Sequence, residues 1–132
     1  MSTTTDAPVA TRPTVAVWFE IPAHDFERAI GFYETVLGIT LRREQFGASA
    51  MAIFPYQEPG VSGSIVPNEG RPGADGPLLY LNADHILDAA LERVYAAGGR
   101  IELGSTEIGN GFGWMARIID TEGNRVGLHA MV

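Results

Sequence analysis

The sequence contains no cysteine, and this absence excludes several kinds of chemistry at once. Without a thiol the chain cannot form a disulfide bond, bind zinc through thiolates or use a cysteine nucleophile. Basic residues are also scarce, with nine Lys plus Arg against sixteen Asp plus Glu and a formal net charge of -7. Apart from Arg42 and Arg43 they are scattered singly, whereas binding to nucleic-acid phosphates requires clustered positive charge. We therefore expect neither nucleic acid nor an anionic membrane as a partner.

Long apolar runs are missing as well. No stretch approaches the roughly eighteen apolar residues that a membrane span needs. The first residues, Met1 to Arg12, have neither the basic start nor the apolar stretch of a secretory signal. The sequence therefore predicts a cytoplasmic protein without membrane spans. The 132 residues, of which 45% are hydrophobic, suffice for one domain with a core. We expect residues 1–12 to form a loose polar tail and residues 13–132 to form that domain.

The segment Thr14–Ile21 alternates with the period of a β-strand. Its odd-numbered residues, from Val15 to Ile21, are expected to pack under a helix, while Trp18 and Glu20 point the other way. An unpaired carboxylate in an apolar strand is costly, so Glu20 is a candidate functional group. Pro22 is expected to end the strand.

A helix is predicted directly after this strand. Asp25 has the side chain of an N-cap, and Gly38 is placed as a glycine that ends a helix in the left-handed conformation. Arg28 is expected to be a solvated charge on the helix surface. Three strand candidates follow, at Ile39–Glu44, Ala48–Phe54 and Val61–Val66, and the Gly- and Pro-rich stretch Asn68–Pro77 predicts a linker.

The same order of elements begins again after the linker. A strand is predicted at Leu78–Asn82, a helix capped by Asp84 or His85 and ended by Gly98-Gly99, and strands at Arg100–Leu103, Gly111–Asp120 and Arg125–Ala130. An offset of sixty positions places Trp18 on Leu78 and Glu20 on Tyr80. This repeat predicts two βαβββ modules, residues 14–66 and 78–132, in one α+β domain. An α+β sandwich with coincidental spacing is the alternative.

Three stretches carry a family resemblance. They are FEIPAHDFERAIGFYETVLGITL at Phe19–Leu41, YLNADHILDAALERVYAAGGRI at Tyr80–Ile101 and IDTEGNRVGLHAM at Ile119–Met131. In order and spacing they resemble the glyoxalase, bleomycin-resistance and extradiol-dioxygenase superfamily, also called vicinal oxygen chelate proteins, over Thr14–Val132. The resemblance implies a glyoxalase-like pair of half-barrels, one from each module, that enclose a cavity with the helices outside. It also implies a homodimer.

The resemblance further implies where a metal would bind. Metal-dependent members hold a divalent ion with His and Glu side chains from the first, fourth, fifth and eighth strands. The matching positions here are Trp18, Gly63 or Ser64, Leu78 and Gly127. Tryptophan and leucine offer no ligand atom and glycine has no side chain, so we expect no metal of the usual kind and no other cofactor. A divalent ion held by Glu20, His129 and waters is the alternative.

A second set of side chains lies two residues further along three of these strands. Glu20, Tyr80 and His129 are expected to face the cavity together. Glu20 and His129 are the candidate catalytic acid–base pair, because an imidazole titrates near neutrality and can exchange a proton with a nearby carboxylate. The candidate substrate-binding residues are Trp18, Tyr80, Trp114 and Arg125. The structural alternatives are that Glu20 only pairs with Arg125 or Arg117 across the barrel and that Tyr80 only forms part of the cavity wall.

Two classes of function fit these features. The first is a lyase- or isomerase-type enzyme that acts on a small organic molecule through Glu20 and His129 without the usual metal. The second is a drug- or metabolite-binding protein without catalysis, similar to the bleomycin-resistance members. For such a binder the acidic net charge and the aromatic residues favour a cationic ligand.

Overall fold

The computed structural model describes residues 11–67 and 71–132. Eight strands and two helices follow one another in these segments. They are β1 (Glu20–Ala23), α1 (Phe26–Leu37), β2 (Arg42–Phe46), β3 (Ser49–Ile53), β4 (Ser64–Pro67), β5 (Leu79–Asn82), α2 (Leu87–Val94), β6 (Arg100–Glu107), β7 (Trp114–Ile119) and β8 (Arg125–Ala130). Most of the predicted tail and residues 68–70 of the predicted linker lie outside the described residues, and residues 71–77 carry no helix or strand.

The strands form two sheets with the same topology. The first sheet has the order β1-β4-β3-β2 and the second the order β5-β8-β7-β6. In each sheet the first strand pairs in parallel with the last, and the other pairs are antiparallel. The predicted α+β fold with two βαβββ modules is therefore confirmed. The two sheets are separate and do not close into a barrel. None of the described helices is long and apolar enough to cross a membrane.

One apolar core lies between the helices and the sheets. It contains Phe32 and Tyr33 of α1, Val94 of α2, and the sheet residues Ile65 and Leu128, all fully buried. Each sheet packs one of its sides against the helices, so its opposite side takes no part in this core. We call that opposite side the outer face of the sheet.

Helix α1 has the predicted ends. Asp25 adopts an extended conformation and its side chain accepts a hydrogen bond from the Arg28 amide at 3.0 Å. Gly38 has the left-handed φ of 68°, and its N–H donates to the Glu34 carbonyl. Both signals are local in sequence, which is why the pattern sufficed to place this helix.

The prediction that Asp84 or His85 caps helix α2 is wrong. Ile86 occupies the N-cap position and makes no side-chain hydrogen bond. The Asp84 carboxylate instead accepts the Met131 amide at 2.6 Å, and the His85 N–H donates to the Val132 carbonyl at 2.7 Å. Asp84 and His85 thus both form hydrogen bonds with the last two residues of the chain.

Strand β1 is shorter than predicted and displaced along the sequence. Thr14–Phe19 carries no strand, and the expected core residues Val15 and Val17 are 96% and 67% exposed, whereas Ile21 is buried as predicted. Pro22 lies inside β1 instead of ending it. This is possible because β1 is an edge strand, so the missing proline N–H breaks no bond to a second neighbour.

Candidate functional site

Strand register shows which side chains share the outer face of the second sheet. Tyr80 lies beside Gly127 and Gly127 beside Arg117, while Asn82 and Met115 flank His129. Cross-strand partners point to the same side of a sheet. The predicted grouping of Tyr80, Arg125 and His129 on one face is therefore observed.

The Tyr80 ring lies across Gly127 of the neighbouring strand. A Cβ atom built on Gly127 would collide with the Tyr80 ring, and the Tyr80 hydroxyl reaches the Met115 sulfur at 3.6 Å. Gly127 therefore lets the ring cross β8 towards β7. Tyr80 remains 40% exposed, so a ligand can reach it.

A cleft of about 380 Å³ opens beside β5, and we call it the aromatic cleft. Trp18 and Tyr80 contribute to it together with Asn82, whose amide oxygen accepts the Asp84 N–H at 2.8 Å. The remaining lining residues are neutral: Ala16, Phe19, Leu37, Ile39, Phe54, Pro55, Val61, Ser62, Leu79, Leu81 and Ile86. The cleft is thus apolar with a few polar groups, which is the usual composition of a small-molecule site.

A second cleft, of about 370 Å³, lies between β1 and the start of β8, and we call it the charged cleft. Glu20, Arg71, Asp75 and Arg125 all line it. Glu20 is exposed and forms no salt bridge with any residue of 11–67 or 71–132. The alternative in which Glu20 pairs with an arginine across the sheets is therefore absent from the described structure.

The two arginines considered as partners of Glu20 bind another carboxylate. The Nε atoms of Arg125 and Arg117 donate to the same oxygen of Glu102, at 2.6 and 3.2 Å. These bonds lower the pKa of Glu102, mainly through the hydrogen bond from Arg125. The arrangement fixes both guanidinium groups at the outer face of the second sheet.

The structure does not bring all predicted site residues into one cavity. His129 lines none of the clefts described here, and its Nε2 atom lies 2.7 Å from the Phe112 carbonyl oxygen. Trp114 pairs with Ala130, which belongs to the core, so Trp114 lies on the helix side of the second sheet. It lines a third cleft with His85 and Asp88 instead of facing Tyr80. Trp18 and Tyr80 share one cleft, and Glu20 and Arg125 share another.

The residues at the implied metal positions do not fit a metal ion. Trp18, Leu78 and Gly127 offer no ligand atom, and among the candidates of the fourth strand only Ser64 carries one. Its hydroxyl is fully buried and lacks a hydrogen-bond partner among the described residues. Within the described segments no group of three or more His, Asp or Glu side chains could hold an ion. The positions that hold the metal in metal-dependent members thus supply no set of ligands in the described residues.

Sequence reasoning missed a buried polar cluster that joins the two modules. The Glu122 side chain is fully buried, and Arg28 donates to both of its carboxylate oxygens, at 2.8 and 3.0 Å. The backbone N–H of Asp25 and the hydroxyl of Thr121 donate to the same carboxylate, each at 2.8 Å. Although burial opposes ionisation, these donors lower the pKa of Glu122 to about 2. The prediction that Arg28 is only a solvated charge is wrong.

Asp120, two residues earlier, completes this cluster. It accepts the Tyr33 hydroxyl at 2.6 Å and the amide hydrogens of Glu122 and Asn124, each at 2.8 Å. Burial and the neighbouring carboxylate raise the pKa of Tyr33, so its hydroxyl stays protonated and donates. The turn motif was visible in the sequence, but its partners on α1 are about ninety residues away and gave no local signal.

Comparison with known proteins settles the family. A sequence profile of the glyoxalase/bleomycin resistance protein/dioxygenase superfamily matches residues 15–128. The chain belongs to this superfamily. No curated protein sequence matches it.

Solved structures share the fold at low sequence identity. A hypothetical protein, SA1046 from S. aureus, is 20% identical with a TM-score of 0.62, covering 90% of this chain and 99% of that one. A mutant of glyoxalase I from Zea mays is 21% identical with a TM-score of 0.65, and the match covers 87% of this chain but only 46% of the maize enzyme. The fosfomycin resistance protein FosX from Listeria monocytogenes is 14% identical with a TM-score of 0.65, covering 90% and 91%.

These relatives include enzymes and resistance proteins, so the fold does not fix the activity. One FosX structure is a complex with Mn(II) and 1S,2S-dihydroxypropylphosphonic acid. At such identities the comparison supports a common fold for this superfamily member and no more.

Proposed function

We propose that this protein binds a small, uncharged organic molecule in the aromatic cleft. The observation that carries the proposal is the pairing of Trp18 from the first module with Tyr80 from the second around one apolar space. No charged side chain lines that space among the described residues. A charged ligand would be desolvated there without a partner, so the cationic ligand suggested by the net charge is disfavoured.

Asn82 supplies the polar recognition in this proposal. Its oxygen is occupied by the Asp84 amide, and its Nδ2 group makes no hydrogen bond to a described residue. An amide nitrogen can only donate, so the preferred ligand carries an acceptor beside its apolar body. Binding without a metal is part of this proposal, because the family's usual ligand positions hold unsuitable residues.

Replacing Trp18 by alanine is expected to weaken binding of an uncharged aromatic probe, 2-naphthol, by roughly tenfold or more, because the ring forms one wall of the cleft. Isothermal titration calorimetry measures the change. Trp114→Ala is the matched control, since it removes the second tryptophan of the chain at a different cleft. Equal losses in both variants, or none in Trp18→Ala, would contradict the proposal.

We propose a second role, acid–base catalysis by Glu20 and His129, which one observation favours. A carbonyl oxygen can only accept a hydrogen bond, so the contact with Phe112 places a proton on Nε2 of His129. In the neutral form of the ring, Nδ1 is then the proton acceptor. A hydrogen bond to a backbone carbonyl often fixes the tautomer of a histidine in this way.

Glu20 and His129 belong to different sheets and share none of the three clefts described within one chain. We infer that the protein forms a homodimer and that Glu20 approaches His129 of the partner subunit. The exposed Val15 and Val17, in a strand-forming sequence without a strand partner among residues 11–67 and 71–132, support such an interface. The exposed Phe112, next to the His129 contact, adds apolar surface there.

Cross-linking tests this arrangement cleanly, because the natural chain has no cysteine. Glu20→Cys and His129→Cys proteins are prepared separately, mixed under conditions that allow subunit exchange, and treated with a short bis-maleimide. We expect a covalent dimer of two different chains in mass spectrometry. The control mixes His129→Cys with Glu92→Cys, which lies exposed on α2. Equal yields in both mixtures, or no covalent dimer, would refute the shared site.

A further inference from the structure

The charged cleft holds four ionised side chains of both signs. Glu20 and Asp75 are negative, and Arg71 and Arg125 are positive. Here no salt bridge joins any two of them, and the single one they make within the described residues runs from Arg125 to Glu102, outside the cleft lining.

The bond to Glu102 leaves most of the Arg125 guanidinium available. Only its Nε atom is used, in the 2.6 Å bond to Glu102, and its two terminal amino groups bond to no described residue. A guanidinium held through Nε presents its remaining N–H groups as a fork that matches a carboxylate. Glu20 offers the complementary acceptor for a cation in the same cleft.

Asn124 holds the walls of this cleft in place. Its amide nitrogen donates to the Pro22 carbonyl of β1 at 2.9 Å, and its amide oxygen accepts the Gly73 N–H at 2.9 Å. The same nitrogen also donates to Asp120 at 3.0 Å. Because Asn124 is buried and fully bonded, β1 and the 71–77 segment are fixed against the start of β8. Asn124 thus ties together the three backbone segments that carry the four charged residues.

Between the charges the cleft is apolar. The apolar lining residues are Phe19, Ile21, Pro22, Pro77, Leu78, Leu79 and Val126. A volume of about 370 Å³ accommodates a molecule of the size of one aromatic amino acid. A ligand with a single charge would pair either with the carboxylates or with the guanidinium groups of the cleft and leave the others unpaired. A molecule with both an ammonium group and a carboxylate can pair with both.

We propose that the charged cleft is a binding site for a small amphoteric molecule, one with an ammonium group, a carboxylate and an apolar body. The ammonium group binds Glu20, and the carboxylate binds the terminal amino groups of Arg125. Arg71 and Asp75 add a second positive and a second negative charge to the cleft. This site shares Phe19 and Leu79 with the aromatic cleft but takes a different class of ligand.

Three probes with one apolar body and different charges test the proposal. Free phenylalanine is amphoteric, 2-phenylethylamine is only cationic, and N-acetylphenylalanine is only anionic. Isothermal titration calorimetry at pH 7 is expected to show phenylalanine binding roughly tenfold or more tightly than either derivative. Glu20→Gln lowers the affinity for phenylalanine to that for the anionic probe, and Arg125→Gln lowers it to that for the cationic probe.

Two exposed residues outside the cleft, Glu107 and Arg100, provide matched controls as Glu107→Gln and Arg100→Gln. Thermal unfolding confirms that each variant is folded, and Arg71→Gln is the second test of the positive pole. Trp18→Ala is expected to leave phenylalanine binding unchanged, so failure of this proposal is distinct from failure at the aromatic cleft. Equal affinities for the three probes, no saturable binding of any, or unchanged affinity in Glu20→Gln and Arg125→Gln would overturn it.

Discussion

Replacing Glu122 by alanine is expected to lower the free energy of unfolding by about 2–4 kcal/mol at neutral pH, because a partly buried N–H loses its acceptor while the half-exposed Arg28 can be rehydrated. The Glu122 side chain is fully buried, and the change leaves the Asp25 N–H and the Arg28 guanidinium without their acceptor. Urea unfolding followed by circular dichroism measures the loss. Because the total stability of a domain is about 5–15 kcal/mol, the isosteric Glu122→Gln provides a milder variant for the same measurement.

A second ion pair on the same helix provides the control. Glu27 also binds an arginine through both carboxylate oxygens, Arg43 at 2.6 and 2.7 Å, but both side chains are largely exposed. Exposed pairs contribute little, so Glu27→Ala is expected to change the stability by less than about 1 kcal/mol. Similar losses at the two positions would show that burial of Glu122 is not the cause.

Acid should remove the contribution of Glu122 in a defined range. Its pKa in the folded protein is lowered to about 2 from the ordinary 4.5. The charged carboxylate therefore stabilises the fold fully above about pH 4.5, and this contribution is lost as the pH falls towards 2. The difference in unfolding free energy between the wild type and Glu122→Gln is expected to shrink by up to about 3 kcal/mol over that range. A constant difference would refute the assignment.

The substitution Asp120→Asn is expected to be the second large change, lowering the free energy of unfolding by about 2–4 kcal/mol. Asp120 is buried and accepts hydrogen bonds from the Tyr33 hydroxyl, the Asn124 side chain and two backbone amides. An amide in its place turns one acceptor into a donor that faces other donors. Chemical denaturation at pH 7 gives the value.

Tyr33→Phe separates the single hydrogen bond from the whole cluster. It removes the hydroxyl that donates to Asp120 and keeps the buried ring, so a loss of about 1–2 kcal/mol is expected. The Asp120→Asn loss must exceed it, since more donors are left unsatisfied. A larger effect for Tyr33→Phe would contradict the account of the cluster.

Local signals explain why much of the fold was predictable from sequence. Asp25 and Gly38 bound α1 through caps that involve only neighbouring residues. The period-two pattern of Arg125–Ala130 placed Arg125 and His129 on one face, and the repeat predicted two modules with the same strand order. In each case the deciding interaction lies within one element or follows from its period.

Other features depended on long-range contacts. Thr14–Phe19 has strand composition but no strand neighbour in the described structure, so its alternation did not bury Val15 or Val17. The side of Trp114 could have been predicted, because Trp114, Ala116 and Ile118 alternate along β7. The partner of Arg28 could not, since Glu122 lies 94 residues away and nothing near either residue marks the pair.

The candidate site shows the same division. The alternation of residues along Thr14–Ile21 predicted that Glu20 and Trp18 point away from the core. Both side chains line clefts. The alternation could not tell that two neighbouring clefts would separate them, because this depends on how the two modules meet. Glu102, which binds both arginines considered for Glu20, was not recognised, because Arg117 and Arg125 lie on other strands 15 and 23 residues away.

The most direct test of small-molecule binding in the aromatic cleft uses the two tryptophan indole N–H signals in a ¹⁵N–¹H spectrum. Trp18 lines that cleft, whereas Trp114 lines another one on the helix side of the second sheet. Titration with 2-naphthol is predicted to shift the Trp18 signal saturably and to leave the Trp114 signal in place. A shift of Trp114 alone, equal shifts of both, or no shift of either would contradict the proposed function.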